Sequence, residues 1–467
     1  MSDDQPISDT DAIFARAYAS AIKDKFQLDV GEHNCILTSP VTQGGMAAGD
    51  LIYPQMTNYL IYKFADALQY SDNPSYTGGS AGSYISQLRS YMDWIKTKGS
   101  PSQAAVDRMN RARDAATSAS TNYFQVLSQA QSQFNQVKEL FPNMNFWQWA
   151  ASYYPPLTAA DRTYKAVQTE LYQAMQAYYG PDAATISGYM NSITNAHSAT
   201  PLPGFNQHGL LDDQDLIANA IRYANSGVKS PEQPITQSTI RVPAYSIQTY
   251  ISTVQAWITA AGNGATRDQV VTIDISQGMN TSWEDYGFKN VQGGGEAGFW
   301  PFLSADVYSN NKWQTRTLST SGREDSISIQ LAMIGIQKFD IRPGEWDVSN
   351  IKALFPDRLP DAPDVLSSKY AKVVSVLVGY DVELKVEFAS ELREEVDKIY
   401  QEVKSTGGRM SIFGFRVSAG AGNGAADRVE TKFDDVKWDK DSGSMSLTPT
   451  AGQVYPTILG AVAQRFD

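Results

Sequence analysis

The stretch from residue 372 to residue 389, KVVSVLVGYDVELKVEFA, constrains the fold of this chain more than any other. A period of two puts its apolar residues on one face of an extended strand and its polar residues on the other. At about 3.3 Å per residue this strand could approach roughly 50 Å. We expect its apolar face to lie on a second sheet, a helix layer or lipid. The apolar positions are Val374, Val376, Val378, Tyr380, Val382, Leu384, Val386 and Phe388.

The first half of the chain has the spacing of helices. The clearest helix begins at Pro101, a favoured first-turn residue, and ends at Phe141, just before Pro142. Its apolar residues recur every three or four positions, and an alanine-rich seam would let a second helix approach closely. A helix of about 40 residues spans roughly 60 Å. Shorter helices are predicted over residues 11–25, 52–70, 84–96, 159–179, 182–196 and 212–225.

The second half has the spacing of strands. Residues 239–257 could begin as a strand and end as a helix, and residues 390–405 read as a helix ended by Gly407 and Gly408. Irregular segments are predicted over 35–50 and 278–313. Strands are predicted over 269–276, 326–342 and 410–419, with a hairpin over 436–447 that turns at 441–443.

These patterns predict an α+β fold with its two kinds of structure in series. The helical N-terminal half contains one long helix at about 101–141. The C-terminal half is β-rich and sandwich-like, with one helix inserted at about 390–405. Because the segment 227–234, GVKSPEQP, has two prolines and no periodicity, we place the domain boundary there. The expected domains are a helical one over 1–230 and a β-rich one over 235–467.

The composition excludes several partners and sites. The 467 residues carry a formal charge of −12, which argues against nucleic acid and against electrostatic attraction to anionic lipid, although not against apolar insertion. Cys35 is the single cysteine, so no intrachain disulfide can form. The first residues lack a secretory pattern, and no run of 18 apolar residues occurs. We expect a cytoplasmic protein, with release by a non-classical route left open.

Motifs for catalysis, cofactors and metals all have simpler explanations. The three histidines, His33, His197 and His208, share no metal-ligand spacing. The acidic run 212–215 suits a helix N-terminus, where aspartates cap the helix. The glycine-rich run 420–424 lacks the dinucleotide-binding spacing, and 439–443 lacks the later glutamate of a calcium loop. The sequence predicts no catalytic, cofactor-binding or metal-binding residue, and the enzyme question stays open, leaning to no.

Two aromatic stretches are candidate contact sites. Aromatic residues beside flexible glycines are common at carbohydrate and protein contacts, and equally common where a loop packs into its own domain. The sequence does not identify a small-molecule or carbohydrate ligand. The candidate ligand or partner contacts are Gly293, Gly294, Gly295, Phe299, Trp300, Phe146, Trp147 and Trp149.

Three functional hypotheses follow. The first is a non-catalytic interaction or structural protein that forms a homo-oligomer through its helical half and ordered termini. The second is a soluble pore-forming or membrane-active protein, because a long alanine-seamed helix beside long amphipathic strands suits a transition from water to membrane. The third is an enzyme whose site is assembled from residues far apart in sequence.

Overall fold

The structure is a computed structural model of the chain. It describes residues 9–43, 47–48, 51–52, 61–76, 81–97, 101–137, 140–141, 144, 146–194, 196, 200–201, 241–243, 245–289, 291, 302–309, 312–418, 431–432, 436–448 and 456–466.

Most of the described helices lie in the first half of the chain, and residues 61–66 are also helical. The helices are α1 (Asp9–Phe26), α2 (Tyr84–Asp93), α3 (Gln103–Val137), α4 (Phe146–Tyr153), α5 (Pro155–Tyr179), α6 (Ala183–Thr194), α7 (Tyr250–Gly262), α8 (Ile275–Asn280), α9 (Ile351–Leu354) and α10 (Ser390–Thr406). Short 3-10 turns cover Gly180–Asp182, Trp283–Tyr286 and Glu324–Ser326.

Most of the described strands lie in the second half. They are β1 (Asn34–Gln43), β2 (Ala47–Ala48), β3 (Leu51–Ile52), β4 (Gln69–Tyr70), β5 (Thr200–Pro201), β6 (Arg241–Val242), β7 (Tyr245–Ser246), β8 (Gln269–Ile273), β9 (Leu303–Ser309), β10 (Lys312–Thr317), β11 (Ile327–Met333), β12 (Gly335–Asp340), β13 (Arg342–Pro343), β14 (Tyr370–Tyr380), β15 (Glu383–Phe388), β16 (Arg409–Ile412), β17 (Phe415–Ser418), β18 (Thr431–Lys432), β19 (Val436–Asp439), β20 (Ser444–Leu447) and β21 (Pro456–Arg465).

The larger strands form three five-stranded sheets, which we number in order. Sheet 1 has the order β1-β21-β14-β12, with β4 also paired to β14. Sheet 2 has the order β10-β9-β16-β17-β18, and sheet 3 has the order β19-β20-β15-β11-β8. Neighbouring strands are antiparallel except β17 and β18. The α+β prediction, with a helical first half and a strand-rich second half, is confirmed.

The single long strand expected over 372–389 is two strands, and this correction explains how the sheets join. β14 belongs to sheet 1 and β15 to sheet 3, and the break is at Asp381, whose φ is +56°. The partner segment 326–342 breaks opposite it, into β11 and β12 around Ile334. The two paired segments therefore bend together where they pass from sheet 1 to sheet 3, and we call this bend the corner. Gly379 lies at this corner, and a Cβ there would fall 2.8 Å from the side chain of Val382.

Other segments also differ from the sequence-based expectation. The segment expected to be irregular at 35–50 contains most of β1, and the loop expected over 278–313 contains a 3-10 turn and β9. The strand expected over 410–419 is a tight hairpin of β16 and β17, which turns at Phe413 and Gly414 with φ values of +50° and +81°. β21, which no pattern predicted, lies between β1 and β14 in sheet 1.

The main core lies among the sheets and includes segments from both ends of the chain. The Tyr18 hydroxyl of α1 donates a 2.6 Å hydrogen bond to the Leu459 carbonyl in β21, and Cys35 is buried in β1 beside that strand. We call the part of the chain around this core the body. The predicted boundary at 227–234 lies outside the described residues, so the domain limits stay a prediction.

Candidate functional site

Helices α3, α4 and α5 form a structure that we call the arm. α3 has 35 residues and therefore spans roughly 50 Å. α5 runs back along it, because Arg108 near the start of α3 contacts Glu170 near the end of α5, while Tyr123 stacks on Tyr164 with ring centroids 5.4 Å apart. The arm is thus an antiparallel helical hairpin, with α4 at its far end.

The base of the arm is fixed to the body. Within the arm, Nε and Nη2 of Arg108 donate to the two carboxylate oxygens of Glu170 at 2.8 and 3.0 Å and hold the bases of its two long helices together. Arg113 donates to the Asp93 carbonyl of α2 at 2.8 Å and to the Tyr179 hydroxyl at 2.9 Å. Met109 is buried against residues of α2 and α6. These contacts set the direction in which the arm leaves the body.

The far end of the arm has a small core of its own, which we call the distal cluster. Trp149 is buried in it, 5.4 Å from the ring of Phe134 and 6.0 Å from that of Tyr154. Phe134 also packs on Phe146 at 5.8 Å. The described members of the cluster all come from residues 123–157 of the arm. The end of the arm is therefore held together by contacts within the arm itself.

Three large apolar side chains at this end face solvent. Leu140 is 75% exposed, Trp147 56% and Tyr153 52%. Tyr153 packs on Phe141 with ring centroids 4.9 Å apart, and Trp147 packs on Phe146 at the same distance. Tyr153 and Trp147 are thus each packed against a partly buried aromatic residue of the distal cluster. We call the exposed side chains of Leu140, Trp147 and Tyr153 the tip patch.

The outer part of the arm carries almost no charge. Between Asp114 and Asp161 the only charged residues are Lys138 and Glu139, which cancel, and residues 140–160 contain none. The whole chain has a formal charge of −12, so that charge lies elsewhere. Polar positions in this region are filled by Ser, Thr, Gln and Asn. The tip patch is therefore an uncharged apolar surface on an acidic protein.

The structure describes one of the two aromatic stretches that the sequence predicts as contact sites. Trp147 is exposed in the tip patch, Phe146 is half-buried beneath it, and Trp149 is buried, where it stabilises the distal cluster rather than facing a partner. The second stretch, Gly293, Gly294, Gly295, Phe299 and Trp300, lies outside the described residues.

Leu140 and Tyr153 were missed as contact residues. They stand at the ends of the segment that joins α3 to α5, and the aromatic pattern pointed only to 146–149. Both lie in the uncharged segment 140–160, but longer uncharged segments occur at 115–137, 183–211 and 242–266, so the sequence alone does not mark them.

A second exposed aromatic pair lies on the hairpin of β9 and β10. Trp313 is 58% exposed and Tyr308 47% exposed, and they face each other across the two strands with ring centroids 5.4 Å apart. Cross-strand aromatic pairs commonly stabilise hairpins. Because their exposure nearly matches that of Trp147 and Tyr153, this pair is a natural control for the tip patch.

A buried polar cluster joins the helical segments to sheet 1. The Tyr84 hydroxyl donates to Asp347 at 2.7 Å, and Nζ of Lys372 lies 3.5 Å from the Asp347 carboxylate and 4.8 Å from the Tyr84 ring centre. Burial, together with the Asp347 charge and hydrogen bond, raises the pKa of Tyr84. Lys372 and Asp347 neutralise each other, so we interpret this cluster as a structural ion pair.

Searches for other kinds of site gave negative findings. Among the described residues there is no group of three or more His, Cys, Asp or Glu that could hold a metal ion. Within the same part of the chain, no helix combines the length and apolar character needed to cross a membrane. Comparisons of the chain with protein-family models, with curated proteins and with solved structures found no match.

Proposed function

We propose that this chain is a non-catalytic interaction protein and that the tip patch is its contact surface. The observation that carries the proposal is that Leu140, Trp147 and Tyr153, all more than half exposed, lie at the same uncharged end of the arm. Single exposed apolar residues are ordinary on protein surfaces. Several large exposed apolar residues at one end of an element are less ordinary, and exposed apolar surface of this kind commonly marks sites of interaction.

The aromatic character of the patch supports the same proposal. Tyr and Trp are enriched where binding energy is concentrated, because each offers a large rigid surface with a polar atom at its edge. Trp147 and Tyr153 rest on Phe146 and Phe141, so their positions are partly fixed before any partner binds. A fixed patch loses less side-chain entropy on binding than a flexible one.

Self-assembly into a homo-oligomer is one form of this proposal. Helix α1 and strand β21 both pack inside the core of their own chain. Self-association would then use the arm rather than the two ends of the chain. Light scattering over a concentration series measures this directly, because a self-associating protein increases in average mass as its concentration rises.

The proposal is tested by retention on a phenyl-agarose column, which presents an uncharged apolar surface of no particular shape. The double variant Trp147→Ser/Tyr153→Ser should elute clearly earlier than the unmodified protein as salt is lowered. The matched control, Trp313→Ser/Tyr308→Ser, removes the same residue types at similar exposure from the β9–β10 hairpin. It should keep most of the retention. Equal loss in the two variants would overturn the proposal.

A further inference from the structure

We infer that the partner of the tip patch is the headgroup layer of a lipid bilayer, into which the end of the arm inserts shallowly without depending on lipid charge. This inference rests on the proposed function and adds the class of partner to it. It concerns only the tip patch at the outer end of the arm and leaves the sheets of the body in water.

The chemistry of the patch fits that layer. Trp and Tyr collect at membrane–water interfaces, because the ring enters the apolar region while the N–H or O–H stays near water. Trp147 and Tyr153 each expose about half of their surface, and Leu140 exposes three quarters. An apolar side chain together with two amphipathic rings is the composition expected for an element that lies in the interface.

The charge distribution supports the same partner. A charged side chain resists entry into lipid, and residues 140–160 carry none. The acidic body would be repelled by anionic lipid if it lay close to the surface. The arm separates the two, because α3 spans roughly 50 Å and the Debye length at physiological salt is only about 8 Å. Binding through the tip should therefore depend little on lipid charge or on salt.

The size of the patch favours a bilayer over a second copy of the chain. From their exposed fractions, the three residues of the patch together present at most roughly 400 Å² of surface. A stable protein–protein interface needs about 800 Å² from each partner, with matching shape. A bilayer adapts to the shape of what enters it, so a small, uncharged end can bind without a complementary surface.

The test measures binding of the full-length protein to phosphatidylcholine vesicles by flotation at about 0.15 M salt, the physiological ionic strength. We expect the unmodified protein to float with the vesicles. Trp147→Ser/Tyr153→Ser should lower the partition coefficient at least tenfold, whereas Trp313→Ser/Tyr308→Ser should change it less than twofold. Circular dichroism must first show that both variants keep the helix content of the parent.

A second measurement identifies the part of the chain that enters the lipid. Lipids brominated on the acyl chains should quench the fluorescence of vesicle-bound protein. Loss of Trp147 should remove most of that quenching, and loss of Trp313 should remove little. Replacing part of the phosphatidylcholine with phosphatidylserine should leave the partition coefficient within about twofold.

Three results would overturn the inference: no flotation of the unmodified protein, equal loss of flotation in the two variants, or binding that requires anionic lipid and falls with salt. The phenyl-agarose result separates these failures from failure of the proposed function. Retention that depends on the tip, without vesicle binding, would keep the interaction role and reject the lipid partner. If the average mass of the unmodified protein rises with concentration and that of Trp147→Ser/Tyr153→Ser does not, a second copy of the chain is the partner instead.

Discussion

Removal of Arg267 should destabilise the corner where β14 passes into β15. Its Nη2 lies 2.9 Å from the carboxylate of Asp381, and its Nε donates to the Asp381 carbonyl at 3.1 Å. A second carboxylate, that of Glu383, lies 3.9 Å from Nη1. The side chain of Asp381 is only 10% exposed and that of Arg267 is 29% exposed. Arg267→Met would therefore leave two carboxylates near each other at a largely buried corner.

The expected loss of stability is about 2 kcal/mol. Breaking a fully buried ion pair costs about 3–5 kcal/mol, whereas breaking an exposed pair costs about 0.2–1 kcal/mol. Water reaches Arg267 but scarcely reaches Asp381, so the value should fall between these limits. Asp381→Asn should cost about 1 kcal/mol, because asparagine tolerates the left-handed backbone that this residue adopts. The double variant Arg267→Met/Asp381→Asn should lose less stability than the two single variants lose in sum, because it leaves one fewer unpaired charge.

Urea unfolding, followed by both fluorescence and circular dichroism, measures these changes. The two transitions must coincide before free energies are compared, because a chain of this size need not unfold in one step. Arg108→Met is the control, since Arg108 pairs with Glu170 at a similar distance in an exposed position. It should cost clearly less than Arg267→Met, because water screens an exposed pair. A loss of stability in Arg267→Met no larger than in this control would contradict the expectation, and so would corner variants whose losses simply add.

Three further perturbations test other parts of the fold. Trp149→Ala should destabilise the arm by about 3–5 kcal/mol, because it empties a buried site. Trp147→Ala should change the stability of the arm by less than about 0.5 kcal/mol. Thermal unfolding compares the two variants. Val382→Asp should unfold the body by burying an unpaired carboxylate, and a soluble, cooperatively folding variant would contradict this. Burial raises the pKa of Tyr179 and Tyr380 to about 12, above the value of about 10 in an unfolded chain. As the pH rises, the unfolded state therefore loses these protons before the folded state does. The full free energy of unfolding should be present below about pH 10 and should fall by about 2–3 kcal/mol per tyrosine towards pH 12. Unfolding titrations at a series of pH values measure this change.

The alternation over 372–389 predicted both strands of the corner but not the corner itself. Asp381 falls on the polar face of the alternating pattern, so it read as one more solvent-facing residue. Its positive φ and its bond to Arg267 are tertiary features that a local pattern does not contain. Gly379 was the one local signal, since glycine within a strand often marks a bend or a close approach.

The strands β1 and β21 were missed for a different reason. Asn34 of β1 pairs with Gln464 of β21, so each strand depends on a partner at the other end of the chain. The apolar run in β21 is buried on both faces and has no alternation. Periodicity does not distinguish such a run from a buried helix. Pro40 and the hydroxyl residues of β1 also resemble a loop.

The arm was predicted more closely, because its structure depends on contacts between residues near in sequence. Spacings of three and four residues over 101–141 gave α3 to within a few residues at each end. The aromatic run beginning at Phe146 was recognised, but not as a helix at the end of a hairpin. Which aromatic residues face water depends on how α4 packs against α3 and α5, and composition does not contain that information.

Separation of the body core from the distal cluster determines how these experiments can be interpreted. The described residues of the two cores do not overlap, because the distal cluster comes from 123–157 and the body core has no member from that segment. The two are joined through the base of the arm, where Arg113 and Met109 lie. Substitutions at the corner of β14 and β15 should therefore alter unfolding without altering the tip patch. Substitutions in the tip patch should alter binding without altering unfolding of the body, so a loss of binding in a stable variant can be assigned to the surface that was changed.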